Sequence, residues 1–282
     1  MRANQSVDEG GQLVGLSRPA VMWTLAFAIY ASLKLLTWVT RYDVPVPLGR
    51  HLAYLLAWPG MDVDAFLNAA DRPVPRPSAG EWLFASSKPL LGLTIFGVAI
   101  WLSAQGGHPW WVGWAAILGI AFMLNFGLFH LLACFWKTKG LRAVPIMDWP
   151  ILATSLTQFW GKRWNRAFRD LTHQFLFRPL APRVGPVWAM LAGFLVSGLV
   201  HDLVISIPAG GGYGWPTLYF LIQGGGVLLE RSWLGRRIGL GGGAIGWTYA
   251  ALLLLLPVGM LFHAPFVEGV IAPMVPGGSQ SP

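Results

Sequence analysis

Long apolar runs broken by short polar turns dominate this chain. The first run, PAVMWTLAFAIYASLKLLTW, covers 19–38 and follows a polar segment carrying both charge signs. A spanning helix needs roughly 20 apolar residues and a signal-peptide core only about 7–15, so this run predicts a span. Ala26-Phe27-Ala28 mimics a cleavage site but lies inside the run. Lys34, near its end, is expected to snorkel to the headgroups. LAYLLAW (52–58) is apolar but too short to cross, which suits a re-entrant or interfacial piece. Residues 59–81 are rich in proline, glycine and charge and read as loop. Further spans are predicted over 89–104, 109–135, 186–207, 215–229 and 245–263, the fifth of the six short and glycine-rich. The fold class that follows is all-α: a polytopic transmembrane helical bundle of about six to eight spans, forming one integral membrane domain over 1–282.

Composition agrees. Of 282 residues, 55% are hydrophobic and 11% charged, with a mean hydropathy of +0.54, whereas soluble domains carry about 25% charged residues. Lysine and arginine are unevenly placed. Segment 136–185 holds nine of them against two acids, while 105–108 and 208–214 hold none. The positive-inside tendency puts 136–185 in the cytoplasm and both termini outside. The net charge of +8 then belongs to headgroup contact rather than nucleic-acid binding, because no soluble basic domain is present to hold a duplex. The single cysteine, Cys134, excludes an internal disulfide. The six histidines show no pair at i, i+4, and neither PAGGGYGWP nor GLGGGAIG has a phosphate-loop pattern, so no metal or cofactor is expected. His51 and His108 read as solvated loop residues.

Two stretches carry candidate chemistry. In FWGKRWNRAFRDLTHQFLF (159–177), Trp160, Trp164, Phe168, Leu171 and Phe175 fall within one arc of about 80° at helical spacing. Lys162, Arg163, Arg166, Arg169, Asp170 and His173 fall on the other side. That pattern predicts a cytoplasmic amphipathic helix lying in the membrane surface, with Asn165 at the edge of its apolar stripe. The second stretch, FLVSGLVHDLVISIP (194–208), keeps His201 and Asp202 inside an apolar run. A charged residue there costs about 2.5–3.5 kcal/mol on insertion scales, so it faces a bundle interior or a wet cavity. His201 reads either as a structural hydrogen-bond donor or as a functional group. Ser197, four residues earlier, shares its face as a nucleophile or, more in keeping with helical serines, bonds its own i−4 carbonyl.

Together the two stretches resemble a family. FWGKRWN (159–165) resembles the aromatic-rich motif ending in Trp-Asn of the membrane-bound O-acyltransferases, and SGLVHDL (197–203) resembles the segment carrying that family's active-site histidine. The spacing of 36 residues from Asn165 to His201 suits the family's order. The likeness is greatest to the wax synthase branch, the long-chain-alcohol O-fatty-acyltransferases, and AYLLAWPGMD (53–62) is similar to bacterial members. The resemblance implies transfer of a fatty acyl group from acyl-CoA, a co-substrate, to the hydroxyl of a lipid-like alcohol. It implies His201 as general base and Asn165 as the residue holding the thioester or acceptor. Trp160, Trp164, Arg163, Arg166 and Asp202 become substrate-binding candidates, the arginines toward coenzyme A phosphates. It also implies a catalytic core over 136–231, contact with membrane lipids and residence in a bacterial cytoplasmic membrane. Asp202 stands where the branch commonly has glutamate, and the chain is shorter than the sterol and diacylglycerol enzymes. Other acceptors (diacylglycerol, sterol, glycan) stay open, as does a transporter using His201 and Asp202 as a relay. One geometric demand follows. His201 lies about 22 Å along its span from the cytoplasmic side, so for the two to meet either the segment bearing Asn165 dips inward or the bilayer thins locally.

Overall fold

The computed structural model describes residues 16–68 and 73–277; the polar start of the chain and part of the 59–81 loop lie outside them. The described residues are helical and form no strand. Five helices are long and apolar enough to cross a membrane: α1 (Arg18–Val39), α3 (Ala79–Ala104), α4 (Pro109–Thr138), α6 (Pro186–Ala209) and α8 (Gly243–Leu261). Between α1 and α3 lies α2 (Leu48–Ala57). Residues 166–184 form α5, and α7 (Trp215–Arg231) follows α6. A short apolar helix, α9 (Ala264–Met274), closes the described chain. The protein is an integral membrane protein built as an all-α bundle. Its fifth predicted span, α7, has 17 residues, or about 26 Å of helix, slightly less than the hydrocarbon core.

The helix starts follow local chemistry. Ser78 accepts a hydrogen bond from the Glu81 N–H at 3.1 Å, the first half of a Ser-x-x-Glu capping box. This starts α3 at Ala79, ten residues before the predicted 89. Pro89 then falls inside the helix, where its ring meets α4 at Gly127: a Cβ there would come within 2.7 Å of the proline Cδ. Gly92 and Gly119 face one another across the same pair, and a Cβ on Gly92 would lie 2.6 Å from the Met123 amide nitrogen. The two helices pack closely because these glycines leave room. Opposite the proline, α4 widens into π-type turns over Phe122–Leu128.

Two polar residues differ from expectation. Lys34 does not snorkel: it is 2% exposed, donates to the Gly60 carbonyl and lies 3.4 Å from the centre of the Tyr54 ring. The chain from α2 to 61 folds back onto α1 and offers these partners, so the ammonium is satisfied without reaching water. His51 is buried, accepting from the Trp38 indole at 3.1 Å. His108 caps α4 by accepting from the Trp110 N–H at 3.2 Å. Around His51, α2 exposes Leu48, Leu52 and Leu56 in one row and buries His51 and Tyr54, the pattern of an interfacial helix rather than a re-entrant one.

The most interior helix is α7. Tyr219, Phe220, Gln223, Gly224, Val227 and Glu230 are all buried along it. It packs most extensively against α6, where a Cβ on Gly198 would lie 2.6 Å from Thr217 Cα. That close pairing brings the helix bearing His201 against the centre of the bundle.

Candidate active site

The stretch predicted as one surface helix over 159–177 is two pieces. Ser155 caps the first by accepting from the Gln158 N–H at 3.0 Å, while the Gln158 side chain accepts from the Thr154 N–H at 2.7 Å. A short helical segment runs over 156–163, widening into a π-type turn over 159–163, and stops where Trp164 becomes extended and Asn165 takes a left-handed conformation, φ 39°. Asparagine tolerates that region better than most residues because its side chain bonds locally. Here Asn165 Oδ1 accepts from the Phe168 N–H at 3.1 Å and so caps α5. The break redirects the aromatic residues that a continuous helix would stack along one stripe. Trp160 turns into the bundle against Phe194 and Phe220, at 5.9 and 5.5 Å between ring centres. Trp164 stacks instead on Phe159 at 5.3 Å.

This inward turn meets α6. Trp160, Trp164, Asn165 and His201 line one cavity of about 690 Å³, with Phe194, Ser197 and Phe220 also in its wall. Asn165 and His201 meet on one cavity because the chain breaks at Asn165 and does not continue as a rigid rod. The lining is mostly apolar, as is usual for small-molecule pockets.

Hydrogen bonds fix the chemistry of the two polar residues. His201 Nδ1 lies 2.7 Å from the Ser197 carbonyl oxygen. A carbonyl only accepts, so Nδ1 carries the hydrogen and Nε2 of the neutral ring bears the lone pair. Nε2 has no partner among the described residues. The ring packs against Phe220, 4.5 Å between centres, and the helix widens immediately after it into a π-type turn over Asp202–Ser206, a distortion frequent at functional sites. Ser197 contributes its backbone carbonyl to the imidazole, which orients it; its hydroxyl makes no hydrogen bond to His201. Because Asn165 Oδ1 is committed to Phe168, the group left to act in the cavity is its amide N–H₂, a donor. The indole N–H of Trp160 is buried and unpartnered.

Three sequence candidates lie elsewhere. Arg163 donates to the backbone carbonyls of Asp148 and Trp149 at 3.1 and 3.2 Å, and Arg166 pairs with the Asp148 carboxylate at 3.4 Å. Both pin the broken segment to 146–149 and neither lines the cavity. Asp202 also stands outside it. Its carboxylate accepts from the Gly214 N–H at 2.8 Å, the Thr217 N–H at 3.1 Å, the Ser206 hydroxyl at 2.9 Å and the Thr217 hydroxyl. It therefore secures the start of α7 to α6. The adjacent Ser206 and His263, 3.2 Å apart, resemble part of a nucleophilic triad. However, His263 Nδ1 accepts from the Phe266 N–H at 3.3 Å, so its Nε2 donates to the serine and has no lone pair with which to take a proton.

The basic residue types in the cavity wall are Arg169, His173 and Arg231. Arg169 pairs with Asp170 and donates to the Gly161 carbonyl at 3.1 Å. Burial lifts the Asp170 carboxyl above its ordinary value, with Arg169 pulling the other way. Arg231 donates to Thr157 Oγ1 at 3.2 Å. Arg169 was readable once Asn165 is taken as a helix cap, since it lies four residues on, one helical turn into α5. Arg231 had no local signal.

The bundle thus places a histidine and an asparagine, each with a ring or amide nitrogen that has no partner among the described residues, on one mostly apolar cavity. Residues 143–222, which contain both groups, match the membrane bound O-acyl transferase family. The chain is 32% identical over 199 residues to the probable long-chain-alcohol O-fatty-acyltransferase 1 of Arabidopsis thaliana, covering 67% of this chain and 57% of that protein. It is 34% identical over 140 residues to the probable long-chain-alcohol O-fatty-acyltransferase 2 of the same plant, covering 44% and 39%. To the long-chain-alcohol O-fatty-acyltransferase of Simmondsia chinensis it is 38% identical over 96 residues, covering 31% and 27%. The chain thus spans less than two thirds of each of these relatives.

Proposed function

We propose that this protein is a membrane O-acyltransferase that moves a fatty acyl group from acyl-CoA to the hydroxyl of a long-chain alcohol, giving a wax ester and free coenzyme A. The observation that carries this reading is the contact of His201 Nδ1 with the Ser197 carbonyl on a ring that lines the same cavity as Asn165. With Nδ1–H held by the Ser197 carbonyl, Nε2 takes the proton of the alcohol as its oxygen attacks the thioester carbonyl. As the tetrahedral intermediate collapses, the C–S bond breaks and the proton passes from Nε2 to the departing sulfur. Charge develops on the carbonyl oxygen meanwhile, and the free amide of Asn165 is suited to donate to it. No acyl-enzyme is required.

The apolar wall fits both chains, and Trp160 and Trp164 supply rigid surfaces against them. For the phosphates of coenzyme A, Arg169, His173 and Arg231 are better situated than Arg163 and Arg166, which are tied to 148 and 149. The catalytic core is then 136–231, facing the cytoplasm, and the host membrane is the bacterial cytoplasmic membrane, from the likeness of 53–62 to bacterial members. Membranes holding the full chain, given labelled palmitoyl-CoA with hexadecanol, a sterol and a diacylglycerol in equal amounts, test the reaction. Ester on hexadecanol before the others is expected. Label on none of the three would overturn the proposal, and label on the sterol alone would overturn the choice of acceptor.

A further inference from the structure

His201 and Asn165 belong to different elements, and α7 touches the neighbourhood of both. At its start, the Asp202 carboxylate binds Gly214 and Thr217. Midway, the Phe220 ring lies against His201 and Trp160. At its end stands Glu230, 4% exposed and without an ion pair among the described residues. Its carboxylate accepts from the Leu156 N–H at 2.7 Å and the Thr157 N–H at 3.3 Å, two of the otherwise unsatisfied amides that open the turn 156–163. The adjacent Arg231 donates to Thr157 Oγ1. One helical turn earlier, Gly226 leaves the notch that receives Leu156: a Cβ there would lie 2.6 Å from Leu156 Cδ1. The far end of the same turn is pinned by the Asp148 N–H to the Arg163 carbonyl at 2.8 Å and the Arg166 N–H to the Ile146 carbonyl at 3.0 Å.

We propose that Glu230 is a positioning residue: by holding the start of turn 156–163 on α7, its carboxylate sets where Asn165 stands in the cavity relative to His201. This rests on the acyltransferase reading. A buried carboxylate bound to backbone amides alone is a costly way to secure a turn, and it has a directional consequence that an apolar contact lacks. Charge-assisted bonds to two successive amides fix the rotation of the turn as well as its distance, and rotation decides where the chain emerges at 164 and 165.

The test uses the full chain purified in detergent, as wild type, Glu230→Gln, Asn165→Gly and the double variant. For Glu230→Gln the expected result is a fall in kcat of about 10-fold with KM for palmitoyl-CoA within about 2-fold, because geometry and not substrate affinity is lost. On the Asn165→Gly background the same change should cost less than about 2-fold, since the group it positions is already gone. Hydrogen exchange over 154–165 should rise in Glu230→Gln whatever the activity. Equal losses on both backgrounds, or unchanged exchange over 154–165, would overturn the proposal. If the wild type forms no ester, the acyltransferase reading fails, and faster exchange would still support the clamp while unchanged exchange would still refute it.

Discussion

At the residue scale, two hydrogen bonds decide what remains free. The Ser197 carbonyl consumes the donor of His201, and the Phe168 amide consumes the acceptor of Asn165. What remains is a ring nitrogen lone pair and an amide donor on residues that line one cavity. Asn165→Gly separates the chemistry from the backbone. Glycine accepts the left-handed conformation without strain and costs a helix cap only a few tenths of a kcal/mol. The thermal midpoint should stay within a few degrees while kcat falls about 10²–10³-fold, as for loss of an oxyanion donor. A variant that keeps wild-type kcat would remove Asn165 from the reaction. His201 and Asn165 were legible in sequence because one is an ionisable group in lipid and the other ends a recognisable aromatic motif. Arg163 and Arg166 are tied to 148 and 149 and stand off the cavity wall, an arrangement a continuous helical wheel cannot represent because the chain breaks at Asn165. The only local sign of that break is Asn165 itself, a residue suited to a cap.

At the element scale, close approach is bought with glycine. Gly198 on α6 meets Thr217 on α7 one turn before His201, and Gly92 and Gly119 join α3 to α4. Gly198→Val adds a branched side chain where a single Cβ already falls 2.6 Å from Thr217 Cα. It should destabilise the bundle by about 1–3 kcal/mol, measured as a lower thermal midpoint, with activity lost as α7 and Phe220 move from His201. An unchanged midpoint would mean that the two helices are not packed this way. Asp202→Asn removes the charge that secures the start of α7. Its expected effect is lower stability with KM unchanged, as for a structural anchor rather than a substrate contact. A rise in KM alone would return Asp202 to substrate binding. The spans were legible from apolar length, which the bilayer dictates. The start of α3 was not, since the prolines and glycines of 59–81 drew attention away from the capping box at Ser78 and Glu81. The burial of Lys34 depends on a fold-back of the chain from α2 to 61 that periodicity cannot reveal.

At the scale of the whole molecule, the helices and the charge distribution describe a bundle whose reactive cavity opens beside its most basic segment. The nine lysines and arginines of 136–185 are the basis for the proposed cytoplasmic orientation of that segment, the side from which the proposed acyl-CoA would come. With the buried Cys134 replaced by serine, a single cysteine at Lys139 should react with an impermeant maleimide only after cells are opened, and one at Gln105 should react in intact cells. The reverse pattern would invert the bundle. The central claim is more direct: His201 takes the proton of a lipid alcohol. Membranes carrying wild type or His201→Ala at matched protein levels, given labelled palmitoyl-CoA and hexadecanol, decide it. Wax ester from the wild type and a loss of at least about 10²-fold in the variant is the predicted result. Equal ester from both would contradict the claim and leave His201 a structural residue.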